Sequence, residues 1–324
     1  MNRPSKRTLR WLRPICGAAI LAVVMWRVGT GPFVTGLRAV SVWPVLAAAA
    51  ITFVSTVCAA WRWRVVARGL SLAITMPAAV SAYYRSQFVN TVLPGGVLGD
   101  VDRAVRQGRA AGDVRRGLRA VAWERAAGQF VQVALTLVVL LIFPLPVHSA
   151  LPIVASILAV AVCVVAALYF VGARLRLASK RAWVEVGVAS TVAVGCYTTI
   201  IVIAARTAGS TTSLTRLLPL AMVVLLATAL PTSIGGWGPR EGVAAWLFAA
   251  AGLGASQGIA TATVYGVMVL AAALPGGVLL AITLVRGRRA ARRRAARRPE
   301  VAHVLLDLPR PVVVAPRSER SVSV

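Results

Sequence analysis

Two short segments combine glycine, proline and charge, and they hold the residues best suited to chemistry. The first is LPGGVLGDVDR, 93–103, where Pro94, Gly95, Gly96 and Gly99 precede Asp100, Asp102 and Arg103. The second is PTSIGGWGPRE, 231–241, where Gly235, Gly236 and Gly238 precede Arg240 and Glu241. Proline removes a backbone donor and glycine loosens the helix, so such segments leave N–H and C=O groups without helical partners. A guanidinium offers a planar fork of donors that matches a phosphate. Arg103 and Arg240 are therefore candidate anion ligands. Asp100 and Glu241 could orient them or carry a coupling proton. Asn90 before the first break, and Glu124 with Arg125 at the start of a later apolar run, complete the candidate set. The same charges could instead be interfacial ion pairs that fix the fold.

Other chemistries find little support. Cys16, Cys58, Cys163 and Cys196 stand singly inside apolar runs, and the two histidines are His148 and His303. A tetrahedral metal site needs several convergent N or S ligands, so no metal site is expected, and no disulfide. No phosphate-binding G-x-x-x-x-G-K-[ST] loop is present. No cofactor is expected. Asp100, Asp102 and Glu124 could serve as acid and base in an intramembrane enzyme, but without a nucleophile–histidine pair no catalytic residue is assigned.

The elements that position these residues follow from composition. Of the 324 residues, 58% are hydrophobic and 14% charged, and mean hydropathy is +0.78. Soluble domains carry roughly 25% charged residues. The composition predicts an all-α, polytopic transmembrane helix bundle. A helix crosses hydrocarbon with about 20 apolar residues. Spans are expected near 15–28, 44–60, 126–147, 150–172, 183–205 and 214–230. The run 242–285 makes two spans, or a re-entrant hairpin plus one long helix, around a Gly/Ser-rich interruption at 252–258. That gives about eight spans, with a range of seven to nine. The segment 73–93 contains Arg85, Gln87 and Asn90 and has basic flanks on both sides, so it is expected to be re-entrant or broken. Residues 1–14 form a basic N-terminus, 15–285 the membrane domain, and 286–324 a tail that is basic and then disordered.

The net charge of +27 could suggest nucleic acid, but the distribution argues against it. Basic residues cluster in short loops, the pattern of the positive-inside rule. Twenty-seven fall in proposed inner segments, against Arg27, Arg38, Arg206 and Arg216 outside. Both termini are expected in the cytoplasm, and both breaks at the cytoplasmic side. Setting Pro94 on Pro231 places Gly99 on Gly236 and Arg103 on Arg240, 137 residues apart. Matching breaks in two halves of a membrane chain suggest a repeat around a shared site.

Four motifs in order carry a family resemblance: Arg62-Trp63 in AAWRWRVVARGL, then FVNTVLPGGVLGDVDR, then Glu124-Arg125 in AWERAAGQF, then PTSIGGWGPRE. The chain resembles the bacterial lysylphosphatidylglycerol synthase transmembrane-region family, also called flippase-like, over about 15–285. The resemblance implies a multi-pass protein of the bacterial inner membrane that binds, and translocates, an anionic phospholipid or a polyprenyl-linked lipid. In larger members a soluble aminoacyltransferase domain follows this module. Only 39 residues follow Val285 here, so that domain is not expected and the protein is read as a non-enzyme. The alternatives are a membrane partner of a lipid or glycan biosynthetic enzyme, or an intramembrane enzyme. A biosynthetic partner protein is compatible with either role. Trp237 stands inside the second glycine cluster.

Overall fold

The computed structural model describes residues 26, 29–93, 96–143, 180–228 and 237–306, and side chains of the last helix through Arg286. The expected spans at 15–28 (apart from Trp26) and 150–172, the loop around His148, and Pro94, Gly95, Gly235 and Gly236 lie outside the described residues. So do 307–324. Among the described residues the regular elements are nine helices: α1 (Gly31–Ala39), α2 (Val42–Gly69), α3 (Met76–Val92), α4 (Leu98–Ala110), α5 (Val114–Ile142), α6 (Lys180–Thr207), α7 (Leu214–Ala227), α8 (Pro239–Ala250) and α9 (Ala255–Leu306). The protein is a helical bundle. Among the described residues four helices are long and apolar enough to cross a membrane: α2, α5, α6 and the stretch Ala255–Arg286 of α9.

Local chemistry sets several boundaries. Asp113 caps α5 by accepting the Arg116 N–H at 3.0 Å, and Gly112, at φ 73°, turns the chain from α4 into it. Pro77 and Pro239 sit in the first turns of α3 and α8, where a missing N–H costs nothing. Gly252 and Gly254, both at positive φ, make the turn from α8 to α9.

Side-chain contacts fix the register. Arg62 of α2 reaches Ser190 of α6. Further along, Thr56 of α2 and Tyr197 of α6 both bond Gln87 of α3. The long helices α2 and α6 are thus antiparallel. One end of the bundle carries the α2–α3 and α4–α5 turns. The opposite end carries the α6–α7 turn and the α8–α9 turn, where Gln257 bonds the Ala208 carbonyl at 3.1 Å.

Two hairpins enter this frame from opposite ends. Helix α3 rises from the first end, and α4 returns beside it: Gly99 lies against the backbone of Ser86, and Gln107 reaches the Ala73 carbonyl. Helix α7 starts at the other end, where Leu217 and Leu220 join a core with Ile200, Ile201 and Ala204 of α6. Helix α8 then runs back, packing Ala244 and Phe248 against Gly258 of α9. The arms have 17, 13, 14 and 12 residues. At 1.5 Å per residue they measure about 18–26 Å, less than the roughly 30 Å of a hydrocarbon core.

The structure departs from expectation at several points. Helix α2 does not end near residue 60 but runs to Gly69, with Arg62 and Trp63 buried. The charged stretch 100–125 is helical apart from one turn, so α5 begins at Val114 rather than 126. The run from 214 gives only the short α7, and the 242–285 run opens with the equally short α8. The two breaks do not share one side: their hairpins come from opposite ends. The chain forms two compact units, Met1–Leu279 and Leu280–Val324. In the second, the helix continues through the arginines to Leu306, where disorder was expected from 299. Alanine and arginine are strong helix formers.

Candidate functional site

An ion network links α2, α3, α4 and α5. Glu124, fully buried, accepts at Oε1 from Arg62 Nε at 2.9 Å and from Arg62 Nη2. The Tyr83 hydroxyl also donates to Oε1, at 2.7 Å. Oε2 accepts from Arg103 Nη2 at 3.0 Å. Asp100 Oδ1 accepts from Arg103 Nη2 at 3.0 Å and from Ser86 Oγ at 2.9 Å. Its Oδ2 accepts from Asn90 Nδ2 at 3.0 Å and from Arg125. The Asn90 carbonyl in turn accepts the Gly99 N–H at 2.7 Å. Asn90 thereby fastens the start of α4 to the end of α3. A buried charge is tolerated only when paired and hydrogen-bonded, and here both oxygens of both carboxylates are used.

Arg103 fills a slot between Trp63 and Tyr83, its guanidinium carbon 4.4 Å and 4.1 Å from the ring centroids. Its Nε and Nη1 have no acceptor among the described residues, as suits a cation lying against ring faces. The second break repeats this arrangement. The Arg240 guanidinium carbon lies 5.2 Å from both Trp237 and Tyr265. Arg240 Nε donates to Glu241 Oε1 at 2.9 Å, and Nη2 donates to the same oxygen. Glu241 Oε2 accepts the Gly238 N–H at 2.7 Å and so caps α8. Gly238 has φ 116°, which a side chain would strain. Gly266 leaves room for Arg240 and Trp237; a Cβ there would meet both.

Between the two hairpins lies a cavity of about 270 Å³. Its charged lining is Arg62, Arg125 and Arg240. Its neutral polar lining includes Thr52, Gln87, Asn90, Gln129, Gln132 and Tyr197. The described flanks of both breaks reach it, Gly96 from one and Trp237 from the other.

The expected site residues divide accordingly. Asn90, Gly96, Arg125 and Arg240 line the cavity. Asp100, Glu124 and Glu241 stand behind it, holding arginines. Gly238 supplies the cap of α8. Arg103 does not share the cavity: it borders a separate, smaller one of about 140 Å³ with Asp102 and Arg106. Its ion pairs and ring slot hold it toward the first end of the bundle. Arg62, beyond the expected end of the span at 44–60, was not among the expected site residues, and neither were the aromatic slots of Tyr83 and Tyr265. The available signal was an Arg-Trp pair at the end of an apolar run, together with one acid, Glu124, deep in a helix.

A helical bundle with several spans and a cationic, amide-lined cavity between two broken segments defines a class of integral membrane protein. Within that class, the family described as "Lysylphosphatidylglycerol synthase TM region" matches residues 11–277, and the chain belongs to it. No curated protein matches the chain.

Proposed function

We propose that this protein binds the anionic headgroup of a membrane lipid, of phospholipid or polyprenyl-phosphate type, and passes it across the bilayer without chemical change. One observation carries the reading: a cavity lined by Arg62, Arg125 and Arg240 lies where two hairpins from opposite ends of the bundle meet. A flippase must shelter a polar headgroup while the tails stay in lipid. Broken backbone at membrane depth is tolerated only where protein or a water-filled cavity covers it, and opposed half-helices around one site are a transporter device. On this reading both hairpins are re-entrant. The protein is a multi-pass protein of a bacterial inner membrane, with both termini in the cytoplasm by the positive-inside rule. Membrane lipids are its partners.

The test is transbilayer movement in vesicles that contain only the purified protein and a fluorescent phosphatidylglycerol. The reading expects movement faster than in protein-free vesicles, and slower again with Arg240→Ala. Equal rates in all three would overturn it.

A further inference from the structure

The charges around the cavity do not cancel. Arg62, Arg103, Arg125 and Arg240 contribute four guanidiniums to the two networks, and Asp100, Glu124 and Glu241 contribute three carboxylates. One positive charge is left over. Among the described residues no acid lines the cavity, and the break residues 94–95 and 229–236 contain none in the sequence.

The remaining acids cannot supply one either. Residues 1–279 contain six: Asp100, Asp102, Asp113, Glu124, Glu185 and Glu241. Asp102, Asp113 and Glu185 pair with Arg106, Arg116 and Arg181, and the other three belong to the buried networks. A headgroup ammonium entering this cavity would meet guanidiniums and find no free carboxylate. Like charges placed this close repel, so the ammonium is a poor match. A phosphodiester carries a single negative charge and matches the surplus. A phosphomonoester carries about −1.5 to −2 at neutral pH and overshoots it.

The neutral lining points to the rest of the headgroup. Thr52 Oγ1 and Gln132 Nε2 are buried with no hydrogen-bond partner among the described residues, and both residues line the cavity. Buried polar atoms ordinarily have partners, so these two are free to bond a ligand's hydroxyls. The volume of about 270 Å³ is near the lower end of ligand pockets. It suits a headgroup and leaves the acyl chains outside.

We infer that, if the protein is the lipid transporter proposed above, its substrate is a phosphodiester lipid with a neutral, hydroxyl-bearing headgroup, and that it rejects headgroups carrying an ammonium or a second negative charge.

The experiment measures transbilayer movement in proteoliposomes with trace acyl-labelled phosphatidylglycerol, phosphatidylethanolamine or phosphatidic acid. Phosphatidylglycerol is expected to move about ten-fold faster than either of the others, equivalent to roughly 1.4 kcal/mol. Arg125→Gln removes the surplus charge and should narrow the gap to phosphatidylethanolamine. Arg125→Lys keeps the charge and should restore it. Native mass spectrometry of wild-type protein after exposure to an equimolar mixture of the three lipids gives a second readout, in which phosphatidylglycerol should dominate. Equal movement of all three lipids, or preference for either of the other two, overturns the selectivity and leaves transport standing. No movement of any of them overturns phospholipid transport and the selectivity with it.

Discussion

Arg62 of α2 and Glu124 of α5, 62 positions apart in sequence, share a buried ion pair in which one carboxylate oxygen accepts two bonds from the same guanidinium. The other oxygen of Glu124 holds Arg103, so a single acid locks two arginines on two helices.

Glu124 should therefore be the most sensitive polar position in the bundle. Glu124→Ala leaves Arg62, and in part Arg103, as buried charges without a partner. Breaking such a pair costs about 3–5 kcal/mol. Tyr83→Phe removes one hydrogen bond to the same oxygen and should cost about 1 kcal/mol. Thermal unfolding of the detergent-purified variants checks this. A Glu124→Ala protein as stable as wild type would show that the pair does not hold the helices.

Arg240 separates shape from charge. Arg240→Lys keeps the cation but loses the planar group that lies between Trp237 and Tyr265 and forks onto Glu241. If the protein moves lipid as proposed, that movement should fall several-fold while the protein still folds. Arg240→Ala should be worse, because Glu241 loses its buried partner. Wild-type transport by both variants would remove Arg240 from the mechanism.

The glycines make a graded series. Gly99 lies against the backbone of Ser86, and Gly276 against that of Tyr84. A Cβ at either position overlaps main chain, so each Gly→Ala change should cost about 1–3 kcal/mol. Gly187 sits within α6 with no described residue within 4 Å of its would-be Cβ, and alanine there should stabilise by about 0.5–1 kcal/mol. The ranking of melting temperatures decides. Equal shifts at all three sites would contradict the packing.

Membrane sidedness follows from the two ends of the bundle. Single cysteines at Gly112 and Gly252, in a background lacking the four native cysteines, should react with impermeant reagents from opposite faces. Gly209 should label with Gly252. Gly112 and Gly252 reacting from the same face would refute the opposed hairpins.

The long spans could be read from hydropathy because α2, α5, α6 and α9 each present an apolar run that no other structure accommodates. The hairpin arms could not. The run from residue 214 is as apolar as a span, but α7 stops at Ala227, and α8 has only 12 residues. Their lengths are set by the break and by packing against α6 and α9. Arg62 was misassigned for a similar reason. An arginine near the end of an apolar run counts as a topology signal until its acid is known, and Glu124 is far away in sequence. Arg103 and Arg240 align as motifs, and both do lie between two aromatic rings. They face different cavities because ion pairs to Asp100 and Glu124 hold Arg103 away from the larger one, which a motif comparison carries no information about. Helix α1 went unanticipated; its Gly36 packs on α9, where a Cβ would lie 3.0 Å from the Ala260 carbonyl.

The short hairpin arms also impose an order on synthesis. If both hairpins are re-entrant, as proposed above, neither pair of arms is threaded through the bilayer as independent spans, and neither tip enters hydrocarbon before walls exist to satisfy it. The wall for α3 and α4 includes α5, and the wall for α7 and α8 includes α9. Each of these walls leaves the ribosome after the hairpin it must cover. The nascent chain thus has to hold each hairpin at the membrane surface until the following long helix has crossed, and the cavity comes into being only when the second of these, α9, is in place.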